Sequence, residues 1–232
     1  MHKTEWQWDE MRQIGTDYSD LKEVELYDQR MKSFRDVDHE NQEMLSMLQL
    51  PKGSAVLEIG CGTGRFSRAA ASFGLKVSAV DVSKIMLEYV QKKTSEENLS
   101  PIILQHSGFL TLDFPSESFD AVVSGAALHH LPDTWKLVAL QNISRVLKAG
   151  GKFILRDVVF SLKEGESPDQ CFERFIHSFN EQVRPGALGH VKREFSTYDW
   201  IMDGLLTRAG FTIKSKKSVS SNFVVYLCQK GP

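Results

Sequence analysis

From residue 53 to residue 160 the chain alternates between short apolar runs and helix-patterned stretches, and this alternation constrains its fold more than any other feature. "AVLEIG" reads as a short buried strand. "RFSRAAASFG" follows as a helix that Gly74 ends in a left-handed cap. "KVSAVD" is the next strand, and Ser83 is placed to cap the helix "SKIMLEYVQKKT". "PIILQHS" and "FDAVVSGAA" are two further strands, the second after the turn-like "PSES". "DTWKLVALQNISRVLK" is an amphipathic helix opened by Asp133, with Trp135, Val138, Ile143 and Val146 near helical spacing. "GGKFILRDVVF" is a long strand entered through a glycine pair. Such alternation predicts βαβ units joined by right-handed crossovers, hence an α/β, doubly wound, mostly parallel sheet. Ligands on these sheets sit beyond the carboxyl ends of the strands, at the topological switch point.

Two regions stand outside the pattern. Residues 1–50 are polar and helix-prone, with "HENQEMLSMLQL" a helix before Pro51, and form an N-terminal cap. Residues 161–195 hold a helix around "DQCFERFIHSF" and then a turn at "RPGALGH". The chain closes with the helix "TYDWIMDGLLTRAG" and two strand-like runs, "FTIKSKKSVS" and "NFVVYLCQK", which suit an antiparallel hairpin on the sheet edge. No repeat, low-complexity tract or linker divides residues 1–232, so one domain is expected.

At the end of the first strand, "LEIGCGTGRF" places Gly60, Gly62 and Gly64 at alternate positions. Glycine there costs backbone entropy, so it implies positive φ angles or a neighbour too close for a β-carbon. The context fits a nucleotide-type ligand. Glycines admit it to the backbone, the following helix offers free N–H groups, and Asp81, closing the next strand, can accept from ribose hydroxyls. The spacing G-x-G-x-G after Glu58 departs from the dinucleotide fingerprint G-x-G-x-x-G, which argues against a pyrophosphate and a nicotinamide oxidoreductase.

"VLEIGCGTGRF", "VSAVDVS", "FDAVVSGAALHHL" and "RVLKAGGKFIL", in that order, resemble the class I S-adenosylmethionine-dependent methyltransferases, in particular the small-molecule group of the ubiquinone/menaquinone methyltransferases. The likeness spans roughly residues 51–160. It implies a seven-stranded Rossmann-like sheet with an antiparallel C-terminal strand, the segments 1–50 and 161–195 building the substrate pocket, and 196–232 completing the sheet. S-adenosylmethionine is then the cosubstrate and S-adenosylhomocysteine the product, with no metal. Carried over by position, Gly60, Gly62 and Gly64 line the amino-acid and ribose portion, with Cys61 and Gly125 on the same wall. Glu58 lies beneath, ordering the loop or reaching the methionyl ammonium through water. Asp81 takes the ribose hydroxyls, Val82 and Met86 lie against the adenine, and Phe109 offers it a backbone N–H. Gly108 departs from the pattern, because many members have an aspartate there that accepts from the adenine amino group; His106, Ser107 or a water would have to compensate. The same departure leaves open a binding protein without turnover.

Methyl transfer from a sulfonium is an in-line displacement at an activated carbon, so alignment carries most of the rate and a base is needed only where the acceptor must lose a proton. His129 and His130, after the fourth strand, are candidate bases, or else loop caps beneath the cosubstrate. Arg156 and Asp157 end the fifth strand on the same face and can hold a polar acceptor or form an ion pair. His190, Arg193 and Glu194 are further candidates from the variable segment. Trp6, Trp8, Tyr18 and Tyr27 form either a lid over the donor or a staple to the core. Cys61 reads as a packing residue with nothing nearby to activate it.

The acceptor expected is a small molecule. A net charge of -2, from 28 Lys and Arg against 30 Asp and Glu, argues against duplex nucleic acid as principal partner. RNA or protein is the alternative acceptor, opposed by the absence of an Asn/Asp-Pro-Pro-aromatic pattern after the fourth strand. Lys214, Lys216 and Lys217 form one basic run, either a patch or a solvated face. Cys61, Cys171 and Cys228 show neither metal spacing nor a disulfide framework, no apolar run approaches spanning length, and the first residues are too polar for a signal peptide. A cytoplasmic protein without membrane partner is expected; oligomeric state is left open.

Overall fold

The structure, a computed structural model, describes residues 4–12, 24, 26, 28, 36–219 and 223–231. Parallel strands β1 (Ala55–Ile59), β2 (Lys76–Asp81), β3 (Ile103–His106), β4 (Phe119–Gly125) and β5 (Leu147–Phe160) alternate with helices. These are α1 (Val37–Leu48) before β1, α2 (Arg65–Phe73), α3 (Lys84–Glu96) and α4 (Asp133–Val146). The segment after β5 holds α5 (Pro168–His177) and α6 (Arg184–Arg193), followed by β6 (Thr197–Tyr198), α7 (Asp199–Arg208), β7 (Phe211–Ser218) and β8 (Phe223–Lys230). The main sheet runs β3-β2-β1-β4-β5-β8-β7, with β6 paired to β5 off this path. The order reverses between β1 and β4, which fixes the switch point there.

Alternate residues of one strand feed two cores. Leu57 and Ile59 pack with Leu140 and Ile143 of α4 and Leu206 of α7, whereas Val56 packs with Phe66 and Ala70 of α2 and Leu48 of α1. Helices therefore cover both faces, and the strands read as continuous apolar runs for that reason. The local signals hold as well. Gly74 ends α2 at φ 98° and bonds back to Ala70 and Ala71, and the Ser83 hydroxyl accepts from the Met86 amide at 3.3 Å.

The closing hairpin forms at the sheet edge as expected, with its last strand inside, β8 being antiparallel to both β5 and β7. Burial decides this: β8 buries Val224, Val225, Tyr226 and Cys228, while β7 is exposed along most of its length. Lys214, Lys216 and Lys217 thus sit on an edge strand, where charge deters pairing with other chains. Lys216 pairs with Asp199 and Asp203 at 3.0 and 2.8 Å, so the run is a solvated face. The stretch "RPGALGH" opens α6 instead of forming a turn. Pro185 suits a first helical turn, and Ala187 is buried against Phe175 and Val158, a tertiary contact that outweighs two glycines. Finally, β5 begins at Leu147, three residues before the glycine pair at which the strand is expected to start. No helix among the described residues is long and apolar enough to cross a membrane.

Candidate active site

A cavity of about 210 Å³ opens at the carboxyl ends of β1, β2, β4 and β5. The glycine turn forms its floor. Gly60, Gly62 and Gly64 all take positive φ, at 72°, 52° and 71°. Their roles then divide. A β-carbon on Gly60 would collide with that of Ala127, and one on Gly64 would lie 2.6 Å from a Val90 methyl, so both allow close packing. Gly62 has no atom within 4 Å of such a β-carbon and lines the cavity with bare backbone.

Two buried acids brace this turn. Asp81 accepts from the Gly62 amide and from the Ser83 amide, each at 2.8 Å, and lines the cavity at 9% exposure. Its burial raises its pKa against the opposing effect of those amides. Glu58 accepts from the Ser67 amide at 3.0 Å and from the Ser67 hydroxyl, pinning the first turn of α2 to β1. Burial pushes Glu58 up to about 8. The loop-ordering alternative for Glu58 is therefore the one visible in the side-chain contacts, although the residue also reaches the cavity wall. Burial likewise raises the Cys61 thiol well above its usual value, which suits packing and not nucleophilic attack.

Of the residues named from sequence, Glu58, Gly60, Cys61, Gly62, Asp81, Val82, Gly108, Phe109, Gly125, His130 and Arg156 converge on the cavity. Gly64 and Met86 do not; Met86 is buried instead with Val24 and Tyr89. His106 turns to the Val82 carbonyl at 2.9 Å, and the Ser107 hydroxyl, buried on the wall, has no partner among the described residues.

The two histidines separate by environment. His129 lies behind the wall. Its Nδ1 meets Asp157, its amide donates to Asp157 at 3.1 Å, and its Nε2 lies 3.4 Å from Glu194. Burial opposes charge on His129, but Asp157 and Glu194 outweigh it and hold the imidazolium up to about 9. Burial alone would raise Asp157, yet His129 brings it below the usual range. Glu194 also pairs with His190, whose Nε2 lies 2.6 Å from the Ser196 hydroxyl. This network joins β5 to the segment 184–196. These contacts favour the structural alternative for His129 and the ion-pair alternative for Asp157, and Arg193 joins neither network nor wall among the contacts described. His129, His130 and Glu194 also bring ligand atoms within 4.8 Å of one another, but both ring nitrogens of His129 already face carboxylates.

His130 faces the cavity with Nδ1 buried and without a partner among the described residues. Burial, then the charge on His129, lowers it to about 4, so its ring is neutral near pH 7. Beside it, Arg156 reaches the wall, donating to Glu40 at 2.6 Å with its guanidinium 4.5 Å over the Phe223 ring. Glu40, Asn41 and Met44 of α1 complete this end. No residue of the segment 161–195 lines this cavity; α5 and α6 pack on Val158 and Phe160 at the carboxyl end of β5.

The N-terminal residues roof the other end, and sequence reasoning saw only their aromatics. Trp6 stacks on Trp135 at 6.0 Å, and Trp8 meets Phe195 edge-on at 5.7 Å while lining the cavity. These contacts staple the segment to the core, and Trp8 also lines the cavity. Tyr18 and Tyr27 lie outside the described residues. Glu10, which no local pattern marks, reaches the loop at Gly108. It accepts from the Leu110 amide at 2.9 Å and from the Thr111 hydroxyl at 2.8 Å.

A parallel sheet with an inverted penultimate position, helices on both faces and a cavity at its switch point define the doubly wound α/β class, whose ligands bind at that point. Comparison with known proteins narrows this. Residues 57–155 match the family described as a methyltransferase domain. The chain is 27% identical over 206 residues to an uncharacterized methyltransferase of Anoxybacillus flavithermus, covering 86% of this chain and 92% of that one. It is 29% identical over 193 residues to a demethylmenaquinone methyltransferase of Bacillus licheniformis, covering 82% and 76%. The crystal structure of the [4+2]-cyclase SpnF shares the fold at a TM-score of 0.67 and 17% identity, over 84% of this chain and 80% of that one. The matched domain, these relatives and the shared fold together support a class I S-adenosylmethionine-dependent methyltransferase.

Proposed function

We propose that this methyltransferase acts on a small molecule held between the glycine turn and α1. The observation that carries the reading is that bare Gly62 backbone and Asp81 line one cavity together with His130, Arg156 and Asn41. One side suits an adenosyl sulfonium compound. Asp81 has acceptor capacity beyond the two amides it holds, since a carboxylate offers about four lone pairs. The Ser107 hydroxyl, buried and unpartnered among the described residues, is explained by a ligand that bonds it.

The other side receives the acceptor. Arg156 and Asn41 bind its polar groups, Met44 packs on its apolar part, and His130 accepts a hydrogen bond from it in the neutral state. In the displacement the acceptor atom bonds to the methyl carbon as the carbon–sulfur bond breaks, and the sulfonium becomes a thioether. Any acceptor proton leaves to His130 or to water. Proximity in a shielded site supplies most of the rate. The roofing of the cavity by Trp8, Glu10 and α1 favours a small acceptor over a polymer, and the demethylmenaquinone methyltransferase relative favours an aromatic quinol.

The test is a methyl-transfer assay across quinols, phenols, thiols and amines, read as S-adenosylhomocysteine release. Turnover with a small acceptor is expected, lost on Arg156→Ala mainly through KM. Turnover on RNA or protein alone would overturn the small-molecule reading.

A further inference from the structure

We propose that Glu10, delivered by the N-terminal segment, supplies the acidic acceptor for the adenine amino group that position 108 lacks. The inference rests on the S-adenosylmethionine reading of the cavity and adds to it the residue that recognises the base.

The argument begins with space. A β-carbon built on Gly108 would lie 2.5 Å from the Glu10 carboxyl carbon and 3.0 Å from its Oε1. The carboxyl carbon of an aspartate lies one bond, about 1.5 Å, beyond its own β-carbon. The Glu10 carboxylate therefore occupies the volume in which an aspartate at position 108 would place its own. Gly108 is not a positive-φ glycine, so backbone conformation does not require it. The close approach of Glu10 does.

Hydrogen bonding gives the second line. An aspartate bonds characteristically to the backbone two and three residues onward, closing an Asx turn. Counted from position 108, those residues are Leu110 and Thr111. Glu10 accepts from the Leu110 amide at 2.9 Å and the Thr111 hydroxyl at 2.8 Å. A residue 98 positions earlier thus closes the turn that the local chain would otherwise close for itself. That bonding orients the carboxylate, and Glu10 lies on the cavity wall at 9% exposure.

Chemistry gives the third. Glu10 shares the cavity wall with Ser107, Gly108 and Phe109, the loop to which it is bonded. The other carboxylates of the cavity, Asp28, Glu40, Glu58 and Asp81, are held by Thr63, Arg156, Ser67 and the Gly62 and Ser83 amides. Adenine presents an exocyclic amine that donates, and hypoxanthine presents a carbonyl there that cannot. A carboxylate at this place selects the former. Because Trp6 and Trp8 seat the same segment on Trp135 and Phe195, base recognition and closure of the roof are coupled.

Isothermal titration of the full chain with S-adenosylhomocysteine and with S-inosylhomocysteine tests this. Wild type should prefer the adenosyl compound by about tenfold, the scale of one hydrogen bond. Glu10→Ala should lose that preference through weaker adenosyl binding, with inosyl binding unchanged as the sign of an intact site. Gly108→Asp alone should bind worse, since two carboxylates then compete for one volume. Combining the two substitutions should restore the preference. Equal affinity of wild type for both compounds overturns the proposal without using any variant. So does adenosyl binding by Glu10→Ala as tight as or tighter than wild type, which would make the carboxylate an obstruction. Wild type binding neither compound at millimolar concentration would remove the cosubstrate reading itself.

Discussion

Replacing Asp157 by asparagine should remove most of the part of the alkaline stability loss that His129 contributes. Asp157 contacts His129 at Nδ1 and at the backbone amide, and it accepts from the Val158 amide at 2.7 Å, all in the interior. His129 rises from 6.5 to about 9 on folding. A group that binds its proton more tightly when folded stabilises the fold fully below its unfolded pKa, and the contribution is lost as pH rises through the folded pKa. His129 therefore contributes fully below about 6.5 and nothing well above 9. At about 1.4 kcal/mol per pKa unit the contribution is about 3 kcal/mol. Asp157 has the opposite sign: its folded pKa is depressed, so its contribution is present above its ordinary value and lost in acid. Glu58, raised from 4.5 to about 8, also loses stability on the alkaline side, but equally in both proteins, so it cancels in their difference. Urea unfolding of wild type and Asp157→Asn at intervals from pH 6 to 10 measures that difference. The gap should approach, but not exceed, about 3 kcal/mol at pH 6.5, since Glu194 still faces His129, and should shrink as pH rises through 9. A pH-independent gap over that range would refute the ion-pair account.

Other expectations follow from the same contacts. Gly60→Ala collides with Ala127 at positive φ and should lower stability by about 2–4 kcal/mol, measured by urea midpoint, from overpacking and the left-handed backbone together. Gly62→Ala meets open cavity, so it should cost only the backbone term of about 1–2 kcal/mol and weaken S-adenosylhomocysteine binding by a larger factor, read by titration. Asp81→Ala frees the Gly62 and Ser83 amides and should weaken that binding at least tenfold, a loss that a ribose-independent ligand would not show. Because His130 is lowered to about 4, kcat/KM should show no acid limb centred near 6.5; such a limb, abolished by His130→Gln, would place the ring in water.

Much of the fold was legible because it depends on local pattern. The strands β1, β2 and β4, the Gly74 and Ser83 caps and the positive-φ turn at Gly60 to Gly64 arise from periodicity and backbone sterics, which neighbours in the chain specify. Asp81 and Gly62 were also readable, because the glycine turn and the acid closing the next strand stand at a recognisable spacing.

Tertiary structure decided the rest. Nothing in "HHL" says which imidazole meets solvent-side space and which is locked between Asp157 and Glu194; the side chains come from three separate parts of the chain. The placement of β8 inside and β7 at the edge follows from comparative burial, and α6 forms over two glycines because Ala187 finds a pocket. Glu10 is the extreme case. From the sequence, Gly108 is an acceptor lost; in the folded chain, a carboxylate from the N-terminal segment fills the same volume. Local sequence dictates which conformations are permitted, whereas contacts between distant residues dictate which charges end up buried together, and in this protein the second sets the chemistry of the site.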